Sequence, residues 1–136
     1  MASYASVQAA LGAAIGTYSP ALALNTYTYV PRSLVPPAAI IQPQAHKTID
    51  YMVLHGSSHV AKWYFTVQLV IGQVDEEAAQ EQAGVLISPG SDFIAALNST
   101  AFPNGGYAKV TEGAVSQMMF ADGLYTYAQL SVYIQA

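Results

Sequence analysis

Trp63-Tyr64-Phe65-Thr66-Val67-Gln68-Leu69-Val70-Ile71 is the stretch that decides the architecture of this chain. Trp63, Phe65, Val67, Leu69 and Ile71 recur at every second position, interleaved with Tyr64, Thr66, Gln68 and Val70. Successive side chains of an extended backbone point to opposite faces, so this spacing lays the first set on one side of a sheet. That side is core. The same period returns further along, where Leu124, Thr126, Ala128, Leu130, Val132 and Ile134 alternate with Tyr125, Tyr127, Gln129, Ser131 and Tyr133. Before this second strand stands Asp122-Gly123, a pairing favoured in tight hairpin loops. A partner strand over 107–120 completes a predicted hairpin.

Helices fill the space between these strands. Asp75, Glu76 and Glu77 open one, where acidic side chains complement the amide end of the helix dipole. Its buried side is predicted to be Ala79, Ala83, Leu86 and Ile87, and Ser88-Pro89-Gly90 ends it. Ser91 caps a short further helix reaching about residue 98, with Phe93, Ile94 and Leu97 turned inward. Pro103-Asn104-Gly105-Gly106 then signals a turn. Toward the start of the chain, Val7, Ala10, Leu11, Ala14 and Ile15 follow the spacing of an amphipathic helix. Ser3 is its predicted cap and Gly16 its predicted stop, giving a helix over 3–16. Residues 24–30 are rich in Tyr and Thr and read as a strand, after which Pro31, Pro36 and Pro37 confine the chain to a loop or an edge. Short strands are predicted over 38–41, before Pro43, and over 48–55, followed by a turn at Gly56-Ser57-Ser58. No internal repeat interrupts this order. The sum is one α+β domain over 1–136, a mainly antiparallel sheet with an N-terminal helix and one or two central helices on one side.

With 136 residues the chain suits one domain, and a 53% hydrophobic composition fills its core. Charged residues make up only 9%, against roughly 25% in typical soluble domains. A surface so poor in charge is better suited to burial against further copies than to a lone monomer. The net charge is −4, and the only fixed cations are Arg32, Lys47, Lys62 and Lys109. They are scattered along the sequence, whereas duplex binding needs clustered Lys and Arg to replace counterions. No cysteine is present, which removes disulfides, thiolate metal sites and a Cys nucleophile. The charge-free start is broken by Gln8, Thr17, Ser19, Pro20 and Asn25, so neither a membrane span nor a basic secretory signal is expected.

Reactive constellations are missing as well. Of the three histidines, His46, His55 and His59, the last two are four apart, but Gly56-Ser57-Ser58 between them makes a loop, and no carboxylate sits near that pair in sequence. No metal site is predicted. Asp75, Glu76, Glu77 and Glu81 are explained by the dipole and a solvated helix face rather than by acid–base chemistry. No Gly-x-Ser-x-Gly elbow, phosphate loop or dinucleotide fingerprint occurs. The chain is therefore read as a non-enzyme without catalytic, cofactor-binding or metal-binding residues.

Tyrosine carries more information. Of ten tyrosines, Tyr125, Tyr127 and Tyr133 share the polar side of the last strand. A rigid ring with a hydrogen-bonding tip is enriched at protein interfaces. These three are the candidate subunit-interface residues, together with Tyr29 and Arg32 in the proline-rich segment.

The order of these features resembles a known family. The N-terminal helix, the proline-rich Tyr29-Val30-Pro31 … Pro36-Pro37-Ala38 and the passage Leu69-Val70-Ile71-Gly72-Gln73-Val74-Asp75 are similar to the tail terminators of siphophages, particularly those of actinobacterial hosts. So are the helical run from Ala78-Ala79-Gln80 into Ile87-Ser88-Pro89-Gly90-Ser91-Asp92-Phe93 and the closing hairpin through Asp122-Gly123-Leu124-Tyr125. The resemblance implies a structural subunit of the virion, assembled in the host cytoplasm and placed at the head-proximal end of the tail. It implies a hexameric ring that stops tail-tube polymerisation and meets the head-side connector or stopper protein. DNA would cross the lumen without specific binding, past a neutral or acidic lining with which a net charge of −4 is compatible. Strand edges are ready partners for a neighbouring strand, so the hairpin at 107–134 or the segment 24–43 is expected to reach the adjacent subunit. Two alternatives stay open: another ring-forming head–tail joining protein, and a small enzyme or ligand-binding domain with a pocket under the tyrosine-rich sheet.

Overall fold

A computed structural model describes residues 3–18, 25–28, 37–51, 61–73, 77–88, 92–99, 102, 106–120 and 123–136. The alternating stretch forms the central strand, β4, over Ala61–Gln73. It follows α1 (Tyr4–Tyr18), β1 (Asn25–Tyr27), β2 (Ala38–Pro43) and β3 (Ile49–Tyr51). After it come α2 (Glu77–Ile87), α3 (Asp92–Ser99), β5 (Tyr107–Phe120) and β6 (Gly123–Gln135). The fold is α+β, a single domain with one six-stranded sheet and three helices among the described residues.

Strand order across the sheet is β1-β2-β4-β6-β5, and β3 pairs with β4 beyond the end of β2. All pairings are antiparallel except β1 with β2. The hairpin closes with Phe120 opposite Gly123, whose φ of 150° is a conformation that L side chains rarely adopt. At the other end, Ala61 and Ala136 exchange two backbone hydrogen bonds of 3.0 Å, tying the last residue to the start of β4.

The period-two reading of the core holds. Phe65, Val67 and Leu69 of β4 and Leu130, Val132 and Ile134 of β6 meet Val7, Leu11 and Ile15 of α1 and Phe93 and Leu97 of α3 in one cluster. Every one of these side chains is buried, each a gain of about 1.5–3 kcal/mol over exposure. Ser3 caps α1 as expected: the Ser6 amide donates to its hydroxyl, and the Ser3 amide donates to the Ser6 hydroxyl in return.

Several boundaries differ from the expectation. Gly16 does not stop α1, which runs to Tyr18. A helical glycine costs only about 1 kcal/mol, so packing of Ile15 carries the helix past it. The strand expected over 24–30 is described only at Asn25–Tyr27, and that over 48–55 only at Ile49–Tyr51. Asp75, Glu76, Ser91, residues 103–105 and the 56–58 turn lie outside the described residues, as do Tyr29, Arg32, His55 and His59.

Candidate functional site

Helices cover one face of the sheet, and the other face carries the side chains that alternate with the core. Its rows follow from register. Tyr64, Tyr133 and Lys109 stand abreast on β4, β6 and β5, and Lys62, Gln135 and Tyr107 form the adjacent row. Toward the hairpin tip the rows turn polar and uncharged, Gln68 beside Gln129 and Ala114. Beyond that lies a small second core in which Ala38, Ile40, Val70 and Tyr125 are buried, with Tyr27 and Tyr127 packed around them.

This geometry sorts the predicted interface tyrosines. Tyr125, Tyr127 and Tyr133 do share one side of β6, as their spacing required. Tyr125 is only 3% exposed, however, and serves the subunit's own packing rather than an outer contact. Tyr127 and Tyr133 are partly exposed. The rings of Tyr64 and Tyr133 lie 6.1 Å apart, and that of Tyr107 meets Tyr133 edge-on at 6.3 Å.

The lysines, dispersed along the sequence, converge here. Lys47 Nζ sits 4.9 Å from the centre of the Tyr64 ring, and Lys62 Nζ 5.2 Å from that of Tyr133. Both distances are within reach of cation–π attraction. Lys109 is exposed on the same face, opposite Tyr133. Asp50 lies across from Lys62 and accepts a 3.2 Å ion pair from Lys47. That hydrogen bond, reinforced by the Asp50 charge, raises the Lys47 ammonium above the ordinary lysine pKa.

A second feature is the outer edge of the sheet. β5 is its last strand, 14 residues long and without proline. Residues 111–117 are exposed throughout. A bulge between Val110 and Glu112 offsets the pairing with β6, and the Val110 amide donates to Asn98 Oδ1 of α3 instead, at 3.3 Å. Past the bulge Ile87 and Gln80 of α2 still flank the hairpin, but the cover is thinner toward its tip. On that side Val115, Leu124 and Met119 are left 41%, 38% and 73% exposed. This exposure toward the hairpin tip escaped the sequence reading, because alternation marks a face as apolar without saying how far the covering helices extend.

Two open clefts flank this hairpin. One of about 370 Å³ is lined by Gln80, Val115, Ser116, Gln117 and Thr126. The other, about 340 Å³, lies where Ile87 and Ile94 face the bulge. Among the described residues neither gathers the titratable side chains that acid–base or nucleophilic chemistry requires. Thr126 is 1% exposed and its hydroxyl has no hydrogen-bond partner among the described residues. Among those residues no three His, Asp or Glu side chains come together as metal ligands, and no helix is long and apolar enough to cross a membrane.

No protein-family model matches the chain, and no curated protein is similar to it. Solved structures do match, 26 chains in all. One of them aligns over 97% of this chain and 92% of its own, with 18% identity and a TM-score of 0.46. At that level the likeness carries no functional inference.

Proposed function

We propose that this chain is a self-assembling structural subunit, the tail terminator of a long-tailed phage, which closes into a hexameric ring on the end of the tail tube. The observation that carries the self-assembly is β5. Past the bulge, residues 113–120 of β5 hold neither charge nor proline, the devices with which proteins that stay monomeric blunt an edge, and such an edge is a template for another strand. The sequence resemblance to siphophage terminators gives the ring its place in the virion.

Strand directions support sideways closure. β1 runs parallel to β2, and β2, β6 and β5 follow one another through antiparallel pairings by way of β4. The outermost of the described strands, β1 and β5, therefore run in opposite directions. A neighbour's β1 laid against β5 would make an antiparallel junction, and a head-to-tail contact of that kind closes into a ring when the rotation divides the circle. This joins the two segments that the sequence nominates, the hairpin at 107–134 and the stretch 24–43.

The deciding experiment mixes the purified protein with elongating tail-tube subunits and follows tube length by negative-stain microscopy. Growth is expected to halt, with a ring seated on one tube end. A ring-forming head–tail joining protein, the runner-up on the same edge observation, would form rings and leave elongation unchanged. A stable monomer at micromolar concentration that leaves the tubes untouched would remove both readings.

A further inference from the structure

We infer that the open sheet face at the Lys62–Tyr133–Lys109 end is a contact surface for the phosphodiester backbone of duplex DNA, weak and indifferent to base sequence. Three of the chain's four Lys and Arg residues stand on this one face, in an otherwise acidic protein. Among the described residues the acidic groups on the face are Asp50 and Glu112, so its balance is three positive against two negative, or +1. The helices on the opposite side of the sheet carry Glu77, Glu81 and Asp92 and no Lys or Arg. Such segregation does not arise from solubility alone, which is served by interspersed signs.

Geometry makes the lysines usable. Lys62 and Lys109 are two strands and one row apart, a separation of about 12 Å between their backbones by ordinary sheet spacings. Their ammoniums therefore reach different phosphates rather than competing for one. Tyr133 stands between them, and Tyr64 and Tyr107 extend the ring platform to either side. A ring beneath an ammonium holds it at the surface without neutralising it, as a carboxylate would. The Tyr64 and Tyr133 hydroxyls add neutral donors to phosphate oxygens, while the Tyr107 hydroxyl donates to Gln135 Oε1 at 2.9 Å, and none of these groups is arranged to read base edges.

Three lysines limit the strength. Non-specific contacts of this kind have Kd values of about 10⁻⁴ to 10⁻⁶ M at physiological salt, and Asp50 and Glu112 hold this one to the weak end. The inference needs only the face of one subunit and does not depend on the ring reading.

The test is fluorescence anisotropy of a labelled 20-base-pair duplex with the full-length protein, from 20 to 200 mM NaCl, with oligomer size measured in parallel. Binding is expected at 20 mM, with log K falling against log salt at a slope of about −2 to −3. The double variant Lys62→Gln/Lys109→Gln should flatten that slope by about two, roughly one for each phosphate no longer neutralised. It should also weaken binding at least tenfold at 20 mM salt, while Lys62→Arg/Lys109→Arg retains it. No binding at 20 mM salt, or a correctly folded Gln variant that binds as the parent does, would overturn the inference. So would displacement of the duplex by polyglutamate as readily as by unlabelled DNA, which would mark a dock for an acidic protein segment. The size measurement reports on ring formation separately, so either idea can fail without the other.

Discussion

Gly84 and Gly106 show how differently two glycines can act in one small domain. Gly84 lies within α2 and a methyl group added there would meet nothing within 4 Å. Gly84→Ala is expected to stabilise the protein by about 0.5–1 kcal/mol, because alanine loses less backbone freedom on folding. Gly106 pairs with Phe102 at the foot of the hairpin, and an added methyl would run into the Gln135 carbonyl and Ala136. That neighbour is backbone and cannot swing aside, so Gly106→Ala should cost about 2 kcal/mol or more. Urea unfolding of the two variants reads both signs. Thr126 offers a third case: its buried hydroxyl has no partner among the described residues, and valine keeps its shape. Thr126→Val should gain about 1 kcal/mol, and a loss instead would reveal a partner for the hydroxyl.

At the scale of elements, α1 is anchored by its first residue. The Tyr4 ring lies 5.7 Å from Phe65 and 6.4 Å from Trp63, joining the helix to the core side of β4. Burial disfavours the phenolate and raises the Tyr4 pKa above the ordinary 10.0. The folded chain thus holds this proton to higher pH than the unfolded chain does. Its contribution to stability is complete below pH 10 and is lost as pH rises through the raised value. Tyr4→Phe should flatten this alkaline loss, measured as the change in melting temperature between pH 8 and pH 11. The elements themselves were legible in the sequence wherever the period was long and regular. β4, β6 and α1 appear where Trp63–Ile71, Leu124–Ile134 and Val7–Ile15 placed them. Helix and strand ends were less so, since Gly16 signals a stop that tertiary packing overrides.

For the whole molecule, the consequential feature is a sheet that stops at β5, whose outer edge pairs with no further strand among the described residues. Lysine at such an edge opposes strand addition while leaving the subunit's own core intact. Ala114 and Ser116 are exposed on β5 and outside the core clusters. Ala114→Lys/Ser116→Lys is therefore expected to abolish ring formation with the melting temperature nearly unchanged, checked by native mass spectrometry and thermal unfolding. Rings that persist in this variant would move the junction away from β5.

Alternation alone established which side chains of β4 and β6 share a face, because the pleat assigns faces locally, residue by residue. It therefore identified the core, and it grouped Tyr125, Tyr127 and Tyr133 correctly. Which strands lie side by side is a non-local matter, decided by pairing between residues far apart in the chain. Only that pairing gathered Lys47, Lys62 and Lys109 around three tyrosines, buried Tyr125 in the subunit's own packing, and left β5 at the margin. Local periodicity fixes direction of side chains, and long-range register fixes their company.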